Sequence, residues 1–148
     1  MSCKCASVKS QTVSQLVDAN PRFVDFLSEK QLVIVENLKD VELFHIQSYL
    51  IEGSDNEYSN KSMLVKTLSK KEVSTLLNYI IKDKNYNWKE SNSTGFNPSL
   101  QFVLKDSYEQ FLILYSESSQ ELGIIDLEGQ KTLKVNQDLL NYLTNLSL

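Results

Sequence analysis

Glycine, proline and histidine are scarce in this sequence, which has four glycines, two prolines and one histidine among 148 residues. Phosphate-binding loops and dinucleotide fingerprints need closely spaced glycines, and no stretch of the chain has that spacing. The single histidine, His45, has no nucleophile motif such as G-x-S-x-G to work with. We therefore expect no cofactor and no catalytic residues, and we interpret His45 as a half-buried structural residue in a strand.

Long apolar runs and an excess of basic residues are also absent. The longest apolar runs, Leu32–Val35 and Phe111–Tyr115, are much shorter than the roughly 18 residues of a membrane helix. The chain has 15 basic and 19 acidic residues, a net charge of −4, whereas general nucleic-acid binding requires Lys and Arg to neutralise phosphates. We expect no transmembrane segment, no nucleic-acid partner, and a basic protein as the partner.

Cysteine occurs only as Cys3 and Cys5. A structural zinc site needs about four nitrogen or sulfur ligands, and a Cys3–Cys5 bridge would close a strained ring, so we expect no metal site. One interpretation is lipid attachment at Cys3, as in a bacterial envelope or periplasmic lipoprotein whose signal peptide has been removed. The other is a flexible N-terminus with two inert thiols in the bacterial cytoplasm, and both interpretations remain open.

The remaining sequence predicts an α+β fold with a largely antiparallel sheet and helices packed mainly on one face. Residues 1–10 are expected to be a flexible segment and residues 11–148 a single domain. Leu32–Val35 is either a strand or the tail of a helix. The predicted helices are two pieces within Thr12–Lys30 broken at Asn20-Pro21, one helix over Lys70–Asp83, and a last helix capped by Asn136. The predicted strands cover Val41–Ile51, Ser62–Thr67, Leu100–Leu104, Phe111–Tyr115 and Leu122–Leu127, and a short strand follows a turn at Glu128-Gly129.

The helix that follows Ser69 has the clearest local signal. Ser69 and Glu72 form the S-x-x-E pattern of a capping box, and apolar residues then recur at helical spacing. Within this stripe, we expect Leu77 and Ile80 to be buried against the sheet.

The stretch from about Leu68 to Leu127 resembles a pattern in small bacterial proteins of no established activity, many of them similar to lipoproteins or accessory proteins. The pattern combines a capped helix, here LSKKEVSTLLNYI, an F-x-P element at residues 96–98, and paired apolar strands, here LQFVL and FLILY. Such proteins often have Cys before the Phe and after the second strand, where this chain has Gly95 and Ser116–Ser119. The resemblance implies a similar fold and carries no established activity.

The charge distribution offers the main candidate for a binding site. Asp106–Gln130 contains no Lys or Arg and six acids, which are Asp106, Glu109, Glu117, Glu121, Asp126 and Glu128. Because charged residues at strand ends are seldom buried, we predict that the last five form an acidic docking surface. Trp88 is a further candidate, since Trp is enriched at binding hot spots, although we favour its folding back to cover the sheet edge.

These observations favour a non-enzymatic binding protein, of the immunity or inhibitor type, that masks a basic partner protein through its acidic strands. An alternative is a bacterial envelope lipoprotein domain with a structural or binding role. A third alternative is a carboxylate-dependent hydrolase, because paired carboxylates leave no spacing signature in a sequence.

Overall fold

The computed structural model of the chain describes residues 12–89, 95–127 and 129–146. The helices are α1 (Val13–Ala19), α2 (Pro21–Phe26), α3 (Glu29–Glu36), α4 (Lys70–Ile80) and α5 (Gln137–Leu146), and a 3-10 turn spans Asp83–Asn85. The strands are β1 (Asp40–Leu50), β2 (Tyr58–Thr67), β3 (Tyr86–Asn87), β4 (Leu100–Lys105), β5 (Gln110–Ser116), β6 (Glu121–Asp126) and β7 (Gly129–Val135). They form one antiparallel sheet in the order β2-β1-β4-β5-β6-β7-β3, which confirms the predicted α+β class.

The main core lies between the helices and one face of this sheet. Strand alternation sends Leu100, Phe102 and Leu104 of β4 into it, and all three are fully buried. The predicted burial of Leu77 and Ile80 on α4 is confirmed. The other helical residues of this core include Leu16, Phe23, Ile34, Val35, Leu76, Leu139 and Leu143.

The F-x-P element lies on the opposite face of the sheet. An added Cβ at Gly123 of β6 would lie 2.8 Å from Cζ of Phe96, so the missing side chain makes room for the aromatic ring. The backbone N–H of Asn97 donates to the hydroxyl of Ser116 at 3.0 Å. These contacts hold the segment before β4 against the end of β5 and the middle of β6.

The ambiguous stretch Leu32–Val35 is helical, because it lies within α3. A capping box begins this helix: the Ser28 hydroxyl accepts from the Gln31 N–H at 3.2 Å, and the Gln31 side chain accepts from the Ser28 N–H at 2.9 Å. The apolar run therefore continues a helix that starts with local signals of its own.

The helix predicted over Lys70–Asp83 is three residues too long, since α4 ends at Ile80. The carboxylate of Asp83 instead accepts from the N–H groups of Arg22 and Phe23, at 3.1 and 2.7 Å. These are free N–H groups in the first turn of α2, and a carboxylate is a good acceptor there. Asn20 is the N-cap residue of α2 but makes no side-chain cap hydrogen bond, because its Oδ1 accepts from the Asp83 N–H.

Two strand predictions also differ from the structure. The strand predicted over Ser62–Thr67 starts four residues earlier, at Tyr58, because Tyr58–Lys61 pairs with Gln47–Leu50 of β1. The segment between the helix predicted over Lys70–Asp83 and the strand predicted from Leu100, where no strand is predicted, contains β3, which pairs with Val135 and Lys134 of β7. In both cases the partner strand determines the strand limits, which the local sequence does not specify.

The predictions for Cys3, Cys5 and the segment 1–10 lie outside the described residues, as does that for Glu128. Among the residues that are described, no helix is long and apolar enough to cross a membrane.

Candidate functional site

The candidate site is a cleft at the end of the sheet where β4 turns into β5, and α3 forms one of its walls. Gln31 is buried in the first turn of α3. Its Nε2 donates to the Asp126 carboxylate at the end of β6, at 2.8 Å. Because Oε1 of the same side chain takes part in the capping box, Gln31 connects the start of the helix to the end of the strand.

The tight turn between β4 and β5 forms the second wall. The Asp106 carboxylate accepts from the N–H groups of Glu109 and Tyr108, both at 2.7 Å. These two hydrogen bonds hold the pKa of Asp106 below its usual range, and the bond from the Glu109 N–H has the larger effect. Glu109 is therefore held in a defined position, where its carboxylate lies 3.3 Å from Nζ of Lys30 on α3.

Between these walls lies a cleft of about 440 Å³, a volume within the range of binding pockets. Its apolar lining consists of Ile34, Phe111, Leu112, Ile125 and Leu127. Its polar lining consists of Lys30, Gln31, Glu109, Gln110 and Asp126. An apolar floor bordered by two carboxylates and one ammonium group suits a ligand with an apolar body and a positive charge.

The large apolar side chains that are exposed in the described residues fall into two groups. Leu127 lies in the cleft, and Tyr108 and Val33 line a neighbouring hollow. The second group belongs to the β1–β2 hairpin and comprises Tyr49, Leu50, Ile51, Tyr58, Met63, Leu64 and Val65. Exposed apolar residues that cluster in this way mark interaction surfaces more often than single ones do.

The predicted acidic residues do not form one surface. Glu109 and Asp126 lie together at the cleft, whereas Glu117 is exposed at the opposite end of β5. Glu121 is fully buried, so the expectation that its charge stays exposed for a partner is wrong. It lies directly opposite Ser116 of β5 and Lys134 of β7, on the face of the sheet over which the F-x-P segment packs.

Trp88 packs partly buried against the core, as we favoured from the sequence. Its indole N–H donates to the Asp83 carbonyl at 2.8 Å, and the Arg22 guanidinium lies 4.7 Å from its ring centroid. Phe26 meets the ring edge-on at 6.5 Å between centroids. Trp88 thus joins β3 to α2, away from the cleft.

His45 is partly buried in β1 between Leu100 of β4 and Met63 of β2. The cleft-lining residues include no histidine, cysteine or serine. Within the described ranges, no cluster of three or more His, Cys, Asp or Glu side chains is placed to hold a metal ion. The side chains that line the cleft offer a ligand apolar contact and ion pairing.

Sequence reasoning missed the contribution of α3 to this site, namely Lys30, Gln31 and Ile34. The signal was present, because Ser28 and Gln31 match the S-x-x-Q form of the capping box. The pairing of Gln31 with Asp126 spans 95 residues and has no local signal.

No known protein family, no curated protein and no solved structure matches the chain.

Proposed function

We propose that this protein is a non-enzymatic binding protein that recognises a basic segment of another protein at the cleft between α3 and the β4–β5 turn. The observation that carries the proposal is the placement of Glu109 and Asp126 beside an apolar floor that opens to solvent. The apolar floor would take an aliphatic or aromatic side chain, and the carboxylates would take a neighbouring Lys or Arg.

Charge supports the choice of a basic ligand. The lining has two acids and one base, and the whole chain carries a net charge of −4. A negative protein attracts a positive partner before contact and raises its association rate, and salt screens that attraction. Binding should therefore weaken as the ionic strength rises, mainly through slower association.

The finer form of the proposal is an immunity or inhibitor role, in which occupation of the cleft masks a basic partner. A photo-crosslinking residue in place of Leu127, whose side chain is fully exposed, should capture that partner in the native host. Capture supports the proposal only if Glu109→Lys abolishes it and Glu117→Lys does not.

Selection from a displayed library of random peptides tests the binding chemistry without knowledge of the partner. We expect selected peptides to combine Lys or Arg with an adjacent large apolar residue. Glu109→Lys and Glu117→Lys form a matched pair, since both side chains are exposed and lie roughly 25 Å apart at opposite ends of β5. Affinity should fall about tenfold or more with Glu109→Lys and less than about twofold with Glu117→Lys.

Two results would contradict the proposal. One is a selected set of peptides without enrichment of Lys or Arg. The other is a set of basic peptides whose affinity falls equally in the two variants, since this would indicate attraction to the overall charge without recognition by the cleft.

A further inference from the structure

The strand β2 is an edge of the sheet along its full length, because β1 is its only strand partner among the described residues. None of its ten residues is buried. At its centre Met63, Leu64 and Val65 are 39%, 56% and 47% exposed. Met63 and Leu64 are consecutive and point to opposite faces, so this edge is apolar on both faces, and the register shift opposite Leu43 and Phe44 of β1 makes Val65 an extra residue of β2. An unpaired edge of this length and composition is a template for a further strand.

The β1–β2 hairpin also extends beyond the rest of the sheet. Pairing of β1 with β4 ends at His45, whereas pairing with β2 continues to Leu50 opposite Tyr58. Tyr49, Leu50 and Tyr58 are all exposed on this extension. The edge available to a partner is therefore longer than the body of the sheet.

Charges divide this edge into an acidic end and a basic end. The turn between β1 and β2 contains Glu52, Asp55 and Glu57 and no basic residue. The segment from Lys61 to Lys71 contains four lysines and no acidic residue. Of these four, Lys66 pairs with Glu72, whereas Lys70 and Lys71 are exposed in the first turn of α4, beside the other end of β2.

We propose that β2 pairs with β2 of a second copy of this chain, which joins two sheets into one across a two-fold axis. Two copies of one edge related by that axis run antiparallel, and each residue contact then occurs twice. The acidic turn of each copy meets Lys70 and Lys71 of the other, while Met63, Leu64 and Val65 meet their own copies near the axis. The edge is thus complementary to itself in both charge and apolarity.

The same charge pattern favours a second copy over the other occupants. The N-terminal residues before Val13 carry Lys4 and Lys9 and no acid, so they do not complement the basic half of β2. Lysines on an edge strand are also a known protection against pairing. Here, antiparallel pairing of two copies brings the acidic turn of one copy to Lys70 and Lys71 of the other, so these lysines attract a second copy.

Charge reversal tests the proposal because the predicted contact is reciprocal. In sedimentation across about a thousandfold range of concentration, the wild-type chain should dimerise. Lys70→Glu/Lys71→Glu should weaken the dimer about tenfold or more, and Asp55→Lys/Glu57→Lys should do the same. The Lys70/Lys71 change keeps the fold intact because acids are favourable at a helix N-terminus. Glu117→Lys, at the end of β5 and separated from β2 by β1 and β4, serves as the control and should leave dimerisation unchanged.

Mixing the two reversed variants gives the sharpest result. The Lys70→Glu/Lys71→Glu variant has negative charge at both ends of the β2 edge, and the Asp55→Lys/Glu57→Lys variant has positive charge at both ends. Both end contacts of a mixed dimer are therefore attractive. The mixture should therefore dimerise where each variant alone does not. Amide hydrogen exchange in residues 58–67 should slow over the concentration range in which the wild-type dimer forms.

A wild-type chain that stays monomeric throughout would overturn the proposal. A dimer that survives both reversals, or a mixture that fails to restore association, would do so as well. If dimers form only after residues 1–11 are removed, the edge belongs to that segment in the whole chain, and the proposal fails. None of these results depends on the peptide-binding cleft.

Discussion

The strands β4 and β2 both pair with β1, but they differ completely in burial. In β4, Leu100, Phe102 and Leu104 are fully buried, whereas β2 has no buried residue. Their sequences, LQFVLK and YSNKSMLVKT, both contain a short apolar run. Apolar content alone therefore does not decide burial, which depends on the elements that pack over each strand.

The strand β1 shows the same contrast within a single element. Val41 and Leu43, in its first half, are fully buried where β4 and the helices cover them. Tyr49 and Leu50, in its second half, are exposed because, within the described ranges, β2 is the one strand that pairs with them. The molecule thus has a closed part that supplies the folding free energy and an open edge that contributes little to it and is available for association.

A matched pair of Leu→Ala variants should show this difference as the largest effect. Leu104 in β4 is 1% exposed and Leu64 in β2 is 56% exposed. Leu104→Ala should lower the free energy of unfolding by about 2–5 kcal/mol because it leaves a cavity. Leu64→Ala should lower it by less than about 1 kcal/mol. Urea denaturation at low protein concentration, where dimers are absent, measures both.

Comparable losses in the two variants would contradict the division into a closed part and an open edge. At high concentration Leu64→Ala should also weaken dimerisation, which Leu104→Ala should not do while the protein remains folded.

Local signals predicted the closed part well and the limits of its elements less well. The Ser69–Glu72 capping box and the apolar stripe of α4 lie within a dozen consecutive residues, so the start of the helix was predictable from the local sequence. Its end was not, because Asp83 caps α2, about 60 residues away along the chain. The two-residue strand β3 likewise exists only through its pairing with β7.

The candidate site was predictable only in part. The acidic character of Asp106–Gln130 pointed to Glu109 and Asp126, which do lie at the cleft. The same pattern also selected Glu121, which is buried, because a count of charges carries no information on which strands are interior. The Lys30–Glu109 ion pair depends on how α3 packs on the sheet.

Alkaline pH should destabilise the closed part of the molecule through its buried Tyr86. Tyr86 is buried and its hydroxyl donates to the Ile80 carbonyl at 2.7 Å. Burial raises the pKa of Tyr86 well above its usual value, and the nearby Asp83 charge adds a smaller effect in the same direction. We expect stability to fall above pH ~10 more steeply in the wild type than in Tyr86→Phe.

The sign follows from proton linkage. Below pH ~10 Tyr86 is protonated in both states, so it contributes no pH dependence. Above that pH the unfolded chain loses the proton and the folded chain keeps it, which favours unfolding by up to about 1.4 kcal/mol per pH unit. Tyr86→Phe should lose about 0.5–1.5 kcal/mol at neutral pH with the hydrogen bond but show a shallower alkaline slope. An alkaline slope as steep in Tyr86→Phe as in the wild type would contradict the prediction.

The smallest effect on folding should come from Lys30, which lies on an exposed surface at the cleft. Its ion pair with Glu109 joins side chains that are 70% and 53% exposed, and such pairs contribute about 0–1 kcal/mol. Lys30→Gln should therefore change the free energy of unfolding by about 0.5 kcal/mol or less. It should raise the affinity for a basic peptide about two- to fivefold, because Glu109 no longer has a competing positive partner.

Lys61→Gln makes the same change in net charge on β2, far from the cleft, and is the control for this prediction. If a basic peptide binds at the cleft, titration should show tighter binding to Lys30→Gln than to Lys61→Gln. If the two variants gain affinity equally, the peptide responds to the charge of the whole protein. If Lys30→Gln loses affinity, Lys30 itself contacts the ligand, and the cleft recognises an acidic group in place of a basic one.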